Sequence, residues 1–168
     1  MEFKREIIID RPVATVWNTL GNQFGEAYKW ASGINHSESF GAPKLKEAHC
    51  NNRACELPSG KIKEVIRKFD PNNFELEYEV IEGFPSFVES GINNWKLTNL
   101  NGKTKVDMHL VIKTKGILGS IMGPMMKMQM NGLTKSVLND LKHYVETGKP
   151  SPLKQKEMQK LARKAVAA

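Results

Sequence analysis

The sequence predicts an α+β fold: a curved antiparallel sheet of about seven strands wrapped around one long C-terminal helix, with two short helices after the first strand. Three observations carry that expectation. Phe74, Leu76, Tyr78 and Val80 alternate with Glu75, Glu77 and Glu79, and Val106, Met108, Leu110 and Ile112 alternate with Asp107, His109, Val111 and Lys113. A period of two with one apolar side marks antiparallel strands that bury a single face. From Leu118, apolar residues recur at Met122, Met126, Met130, Leu133, Val137, Leu141 and Tyr144 in steps of three and four, one stripe on a long helix. Turn formers separate the strands at Leu57-Pro58-Ser59-Gly60, Asp70-Pro71-Asn72-Asn73 and Asn99-Leu100-Asn101-Gly102. A long helix after such a meander has to bury its stripe on the concave face of the sheet.

In chain order, residues 2–10 end in the run Ile7-Ile8-Ile9 and read as a buried strand rather than a secretory leader. Pro12 suits the first turn of a helix, Asp10 places a negative charge upstream of it, and Val13, Val16, Trp17 and Leu20 keep helical spacing. Gly21 and Gly25 interrupt that spacing, and a second short helix is expected around Phe24–Trp30. Strands and turns fill Ile34 to Lys115. The long helix starts after them, carries Pro124 near its beginning and Gly132 at its middle, and stops at Gly148 and Pro150.

The chain of 168 residues suits one domain, assigned to residues 1–148, followed by a basic tail over 149–168. Lys149, Lys154, Lys156, Lys160, Arg163 and Lys164 stand against Glu157 alone in that tail, which leaves residues 1–148 with only +2 of the net charge of +7. The basic balance therefore points to a tail that is solvated or loosely docked, with at most a weak contact to an anionic membrane, and not to a nucleic-acid-binding face. The most apolar stretch, Gly116 to Met130, is broken by Lys127 and Gln129 and is too short to span a bilayer. Cys50 and Cys55 would face opposite ways on a regular strand, so reduced thiols and a cytoplasmic location are expected.

A two-residue hairpin at Pro58-Ser59 sets 57 opposite 60, 55 opposite 62 and 53 opposite 64. One face then carries Arg53, Cys55, Leu57, Ile62, Glu64 and Ile66, and the other Ala54, Glu56, Lys61 and Lys63. The first, mostly apolar face should be the inner one, which puts Arg53 beside Glu64 in an apolar setting. Buried charges require partners, so the pair is either a polar anchor for a ligand or a structural ion pair. Met122, Met125, Met126, Met128 and Met130 gather within nine residues, as an adaptable cavity wall or as core filling. Gly83-Phe84-Pro85-Ser86-Phe87 reads as a pocket mouth or an anchored loop, and Asn93 with Trp95 shares one face of the strand after it. His36, His49, His109 and His143 lack metal-ligand spacing, and no glycine-rich phosphate loop, GxSxG or CxxC occurs. No metal, no cofactor and no catalytic residue are assigned.

Asp10-Arg11-Pro12-Val13-Ala14-Thr15-Val16-Trp17, the run from Arg53-Ala54-Cys55-Glu56-Leu57 through Lys63-Glu64-Val65-Ile66, Asp70-Pro71, and Leu141-Lys142-His143-Tyr144-Val145-Glu146-Thr147-Gly148 occur in an order and spacing that resemble the helix-grip (SRPBCC/START-like) superfamily over roughly residues 1–148. The chain looks most like its bacterial polyketide cyclase/dehydrase-like, lipid-transport branch. The resemblance implies an internal cavity between sheet and long helix, with Met126, Met130, Leu133 and Val137 as roof and Tyr78, Trp95, Met108 and Leu110 as floor. Glu64-Val65-Ile66 is similar to a segment of the plant abscisic-acid receptors in which the Glu faces the ligand. Arg53, Glu64 and Asn93 would then be polar contacts for a hydrophobic or amphipathic small molecule such as a lipid, isoprenoid or polyketide. A binding or carrier protein is the leading reading, because the predicted cavity holds no second titratable group suited to proton transfer. A polyketide cyclase/dehydratase without metal is the alternative.

Overall fold

A computed structural model describes residues 1–166. Seven strands form a single antiparallel sheet: β1 (Glu2–Ile9), β2 (His36–Phe40), β3 (Asn52–Leu57), β4 (Gly60–Asp70), β5 (Glu75–Glu82), β6 (Val88–Leu100) and β7 (Lys103–Thr114). Their spatial order is β1-β7-β6-β5-β4-β3-β2, so the first strand leaves its sequence neighbours and pairs with the last. The alternating segments lie in β5 and β7, as the period of two requires. Between β1 and β2 runs a short helix α1 (Val13–Trp17), which continues through a π-turn over Asn18–Asn22 into a 3-10 helix over Phe24–Lys29. Pro12 caps α1 from outside with extended ψ rather than entering its first turn.

The long helix α2 spans Gly116–Thr147 and ends on Gly148, whose φ of 72° is the left-handed conformation that glycine adopts without a Cβ clash. Gly148 N–H donates to Tyr144 O at 2.7 Å, which closes the last turn. Two of the distant motifs meet at this end. Asp10 N–H donates to Glu146 Oε1 at 2.8 Å, and the Arg11 guanidinium donates to Glu146 O. The strand–helix junction and the foot of α2 are thereby locked together, which gives both motifs a physical reason to occur in the same chain.

The core is divided. The main cluster joins Ile9, Val16, Trp17, Leu20, Phe24, Trp30, Leu76, Trp95, Leu97, Val106 and Met108 with Leu138 and Leu141 of α2. A smaller cluster at the other end of the sheet joins Phe3, Val88 and Ile112, with Met1, Phe84, Phe87, Leu110, Met126 and Met130 packed on it.

Beyond Gly148 the chain forms a further helix, α3 (Pro152–Val166), and its start is docked. Ser151 donates to Asp140 Oδ1 on α2, whose Oδ2 accepts from Ser32 N–H at 2.9 Å. Lys154 is 1% exposed, and its Nζ donates to Ile34 O at 2.6 Å. Gly33 N–H reaches Glu157 Oε2 at 2.9 Å. The one-signed charge of the segment hides this, because the buried lysine is satisfied by a backbone carbonyl that only the folded chain supplies. We propose that the folded unit extends past Gly148 through these contacts; the final two residues of the tail lie outside the described ones.

Candidate binding site

The hairpin register is the one the Pro58-Ser59 turn dictates: Leu57 faces Gly60, Cys55 faces Ile62 and Arg53 faces Glu64. Arg53 and Glu64 are each 5% exposed, and Arg53 Nε donates to Glu64 Oε2 at 2.6 Å. Arg53 Nη1 donates to Phe24 O at 2.9 Å, and its Cζ lies 3.9 Å from the centroid of the Phe24 ring. Phe24, which patterning did not single out, thus holds the guanidinium from two sides: by its carbonyl and by the negative face of its ring. The Cys55 thiol donates to the same Glu64 Oε2 at 3.4 Å. Among the described residues no donor reaches Glu64 Oε1 and no acceptor reaches Arg53 Nη2. Burial pulls the guanidinium's pKa down, but the Glu64 carboxylate beside it, helped by Cys55 and Tyr78, raises it on balance. Burial, with Glu64 adding to it, pushes the Cys55 thiol up to about 12 against the pull of Arg53, so it stays a thiol.

One row across the sheet runs Ile66–Tyr78–Asn93–Leu110–Phe3. Beside it, on the inner side, stand Arg53, Glu64 and Val80. Asn93 Nδ2 donates to the Tyr78 hydroxyl at 2.9 Å, and Trp95 Nε1 reaches the same oxygen at 3.4 Å. Two donors on one phenol oxygen leave its own proton free to donate outward. Burial raises the Tyr78 pKa, Glu64 adds to it, and Arg53, Trp95 and Asn93 work the other way, so the group is a phenol and not a phenolate. Asn93 Oδ1 is buried without a hydrogen-bond partner. A buried acceptor left unpaired is costly, and a donor from a water or a bound molecule would satisfy it.

The neighbouring inner-face rows differ in how well they are covered. Phe69–Leu76–Trp95–Met108 is closed on all sides, whereas Tyr78, Val80 and Leu110 keep surface that no protein atom covers. Trp95 and Met108, at 1% and 2% exposed, therefore belong to the packed core rather than to the floor. Trp95 touches the site only through its indole N–H. On the roof side, Met126 and Met130 lie half-buried on the smaller cluster and Val137 on the main one. Leu133 is 39% exposed and packs at its edge against Gly33, while Thr134 takes the buried position. The 3.6-residue turn explains the shift: steps of four from Met122 through Met130 lead to position 134, so the stripe drifts past Leu133. Leu118, the first residue of the expected stripe, likewise points away from the sheet and is 59% exposed.

The 83–87 loop is anchored at both aromatics. The ring of Phe84 lies so close over Gly91 that a Cβ there would come within 2.5 Å of it, so only glycine admits this contact. Lys115 N–H donates to Phe87 O at 2.8 Å, tying the loop to the start of α2. Two shallow grooves open to solvent lie elsewhere, one along α3 and one between β1 and α2, and neither reaches Arg53 or Glu64. Among the described residues no group of three or more His, Cys, Asp or Glu side chains is placed to hold a metal ion. His109 instead pairs with Glu2 at 2.7 Å on the outer face.

A seven-stranded antiparallel sheet gripping a C-terminal helix, with charged and hydroxyl groups on its inner face, defines the START-like helix-grip class. The chain belongs to the family described as polyketide cyclase / dehydrase and lipid transport, whose model matches residues 1–146. Among solved structures it is similar to a START superfamily protein from Mycobacterium smegmatis, with 13% identity and a TM-score of 0.69, covering 86% of this chain and 97% of that one. It is also similar to the di-domain ARO/CYC BexL from the BE-7585A biosynthetic pathway, with 14% identity and a TM-score of 0.68 over 87% of this chain and 46% of that one. Ara h 8.0201 shares 18% identity and a TM-score of 0.60, covering 86% of this chain and 97% of that one. No curated protein matches the sequence. No helix among the described residues is long and apolar enough to cross a membrane.

Proposed function

We propose that the chain binds a hydrophobic or amphipathic small molecule between the incompletely covered inner face of the sheet and α2, with Arg53, Glu64, Tyr78 and Asn93 orienting its polar end. The observation that carries this reading is the buried, unpartnered Asn93 Oδ1 beside a Tyr78 hydroxyl whose proton is free. Together they ask for a ligand group that both donates and accepts, such as a hydroxyl. Arg53 Nη2 suits a carbonyl or carboxylate oxygen, and Glu64 Oε1 a second hydroxyl, directly or through water. Val80, Leu110, Met126, Met130 and Val137 supply the apolar wall, with Leu133 only at its edge, and burial of that wall would provide most of the affinity, at roughly 25 cal/mol per Å² before ordering costs. The reading places the protein in the cytoplasm as a carrier or sensor.

A second reading is favoured by Tyr78. A phenol that accepts two hydrogen bonds and keeps its proton is placed to donate that proton toward a ketone oxygen, as a cyclase or dehydratase acting on a folded polyketide-like chain requires. Native mass spectrometry of the protein as purified from cells tests for a co-purifying molecule. Displacement of an apolar, environment-sensitive dye from wild type and Met130→Trp tests its location. Binding by wild type and loss in Met130→Trp are expected; equal binding by both overturns the proposed site.

A further inference from the structure

The outward face of the first half of α2 is apolar. Ile117 is 80% exposed, Ile121 66%, Met128 71% and Met125 47%. At 100° per residue these four fall within one arc of the helix, opposite the arc of Gly119, Met122, Met126 and Met130 that meets the sheet. A solvated surface helix places polar residues on its outer face, and a helix that is apolar all round is one that something else covers. The change is sharp along the same helix, because beyond Met128 the outward positions are Asn131, Lys135, Asn139 and Lys142.

Charge indicates what covers it. From Met108 to Asn139 the sequence contains Lys113, Lys115, Lys127 and Lys135 and no acidic residue. Lys113 and Lys115 stand just before the helix, and Lys127 borders the groove that also contains Lys4 and Met128. The acid in that groove, Glu2, is already paired with Lys4 and His109. The loop tied to the helix start by Lys115 and Phe87 adds an exposed Pro85-Ser86 tip beside it. The surface is a ridge of flexible aliphatic and thioether side chains bordered by Lys113, Lys115 and Lys127, with edge strand β1 and its Lys4 on one side and the exposed Glu89 beyond the 83–87 loop as the nearby acid. Gly116, Gly119, Gly123 and Pro124 also make its first nine residues a poor helix in water, so a surrounding surface is needed to hold them. We infer that Gly116–Met130 of α2, with the 83–87 loop, docks on an anionic lipid bilayer, the apolar ridge entering the headgroup–acyl boundary and the lysines pairing with lipid phosphates. This inference does not rest on the internal ligand site.

Sedimentation with vesicles tests it, using phosphatidylcholine alone and an equimolar mixture of phosphatidylcholine and phosphatidylglycerol. Wild type should pellet with the mixed vesicles and be released by salt. Ile121→Ser/Met128→Ser should reduce partitioning on the order of a hundred-fold, since each buried aliphatic side chain is worth about ten-fold. Lys113→Gln/Lys115→Gln should reduce it about five-fold per lysine. All four residues replaced are exposed, so thermal melting should not move. Three outcomes overturn the inference: no sedimentation with either vesicle; sedimentation unchanged by both double variants but lost when the exposed basic residues of α3 are neutralised; or a wild-type dimer in lipid-free solution that Ile121→Ser/Met128→Ser converts to monomer, which makes the ridge a contact between two copies.

Discussion

The two halves of α2 have similar apolar content and opposite situations. From Thr134 to Val145 the helix is sunk into the main cluster, with Leu138 and Leu141 almost fully buried and Asp140 bonded to Ser32 and Ser151. From Gly116 to Leu133 it rests on a small cluster through half-buried methionines and turns isoleucines outward. The apolar stripe alone did not separate them. One half commits its hydrophobic surface to the main cluster, and the other leaves much of its own uncovered. The polar quartet of Arg53, Glu64, Tyr78 and Asn93 lies on the sheet between the two clusters, where packing changes from closed to open.

The largest expected effect is at the buried ion pair. Glu64→Leu leaves a buried guanidinium without its carboxylate and should cost about 3–5 kcal/mol, read from urea denaturation. Arg53→Met/Glu64→Leu should recover most of that loss; if the double variant is as unstable as the single one, the pair is not the unit described. Next, Leu141→Ala should cost about 2–5 kcal/mol, whereas Ile121→Ala should stay within about 0.5 kcal/mol. Equal costs would erase the distinction between the halves. Gly123 meets no atom at its Cβ position and has an ordinary helical φ, so Gly123→Ala should stabilise by about 1 kcal/mol. A loss in its place would mean that the first half needs its glycines for packing.

The smallest effect concerns pH. Burial lowers the Lys154 pKa, with Glu157 and Asp140 only partly offsetting it. Between the lowered folded value and the ordinary lysine value, the unfolded chain binds a proton that the folded one does not. Stability from this group therefore rises with pH across that alkaline window. Lys154→Met should flatten the rise in melting temperature through that window, and an unchanged slope would place the titration elsewhere.

Strand parity and turn chemistry made the sheet, the hairpin register and the Arg53–Glu64 pair legible, because each follows from a period of two and one tight turn. The grip of Phe24 on Arg53 was not legible: residues 29 apart in sequence meet only through the irregular π and 3-10 turns, which have no periodic signal. Trp95 and Met108 share a face with Asn93 and Leu110, and parity cannot distinguish the row that is packed from the row that is open. The docking of α3 was hidden for a different reason, since a lysine satisfied by Ile34 O looks like any solvated lysine in a basic run.

The pairing of β1 with β7 also sets a timetable for the nascent chain. Phe3 lies opposite Leu110, so at about 5–20 residues per second a ribosome needs roughly 5–20 s to deliver the partner of a strand it has already released. Through that interval Ile7, Ile8 and Ile9 have no sheet to join. Every other strand pairs with a sequence neighbour, so the meander from β2 to β7 is free to assemble while β1 waits. Closing the sheet is therefore the long-loop event of folding, and it brings β1 against β7 across the whole meander.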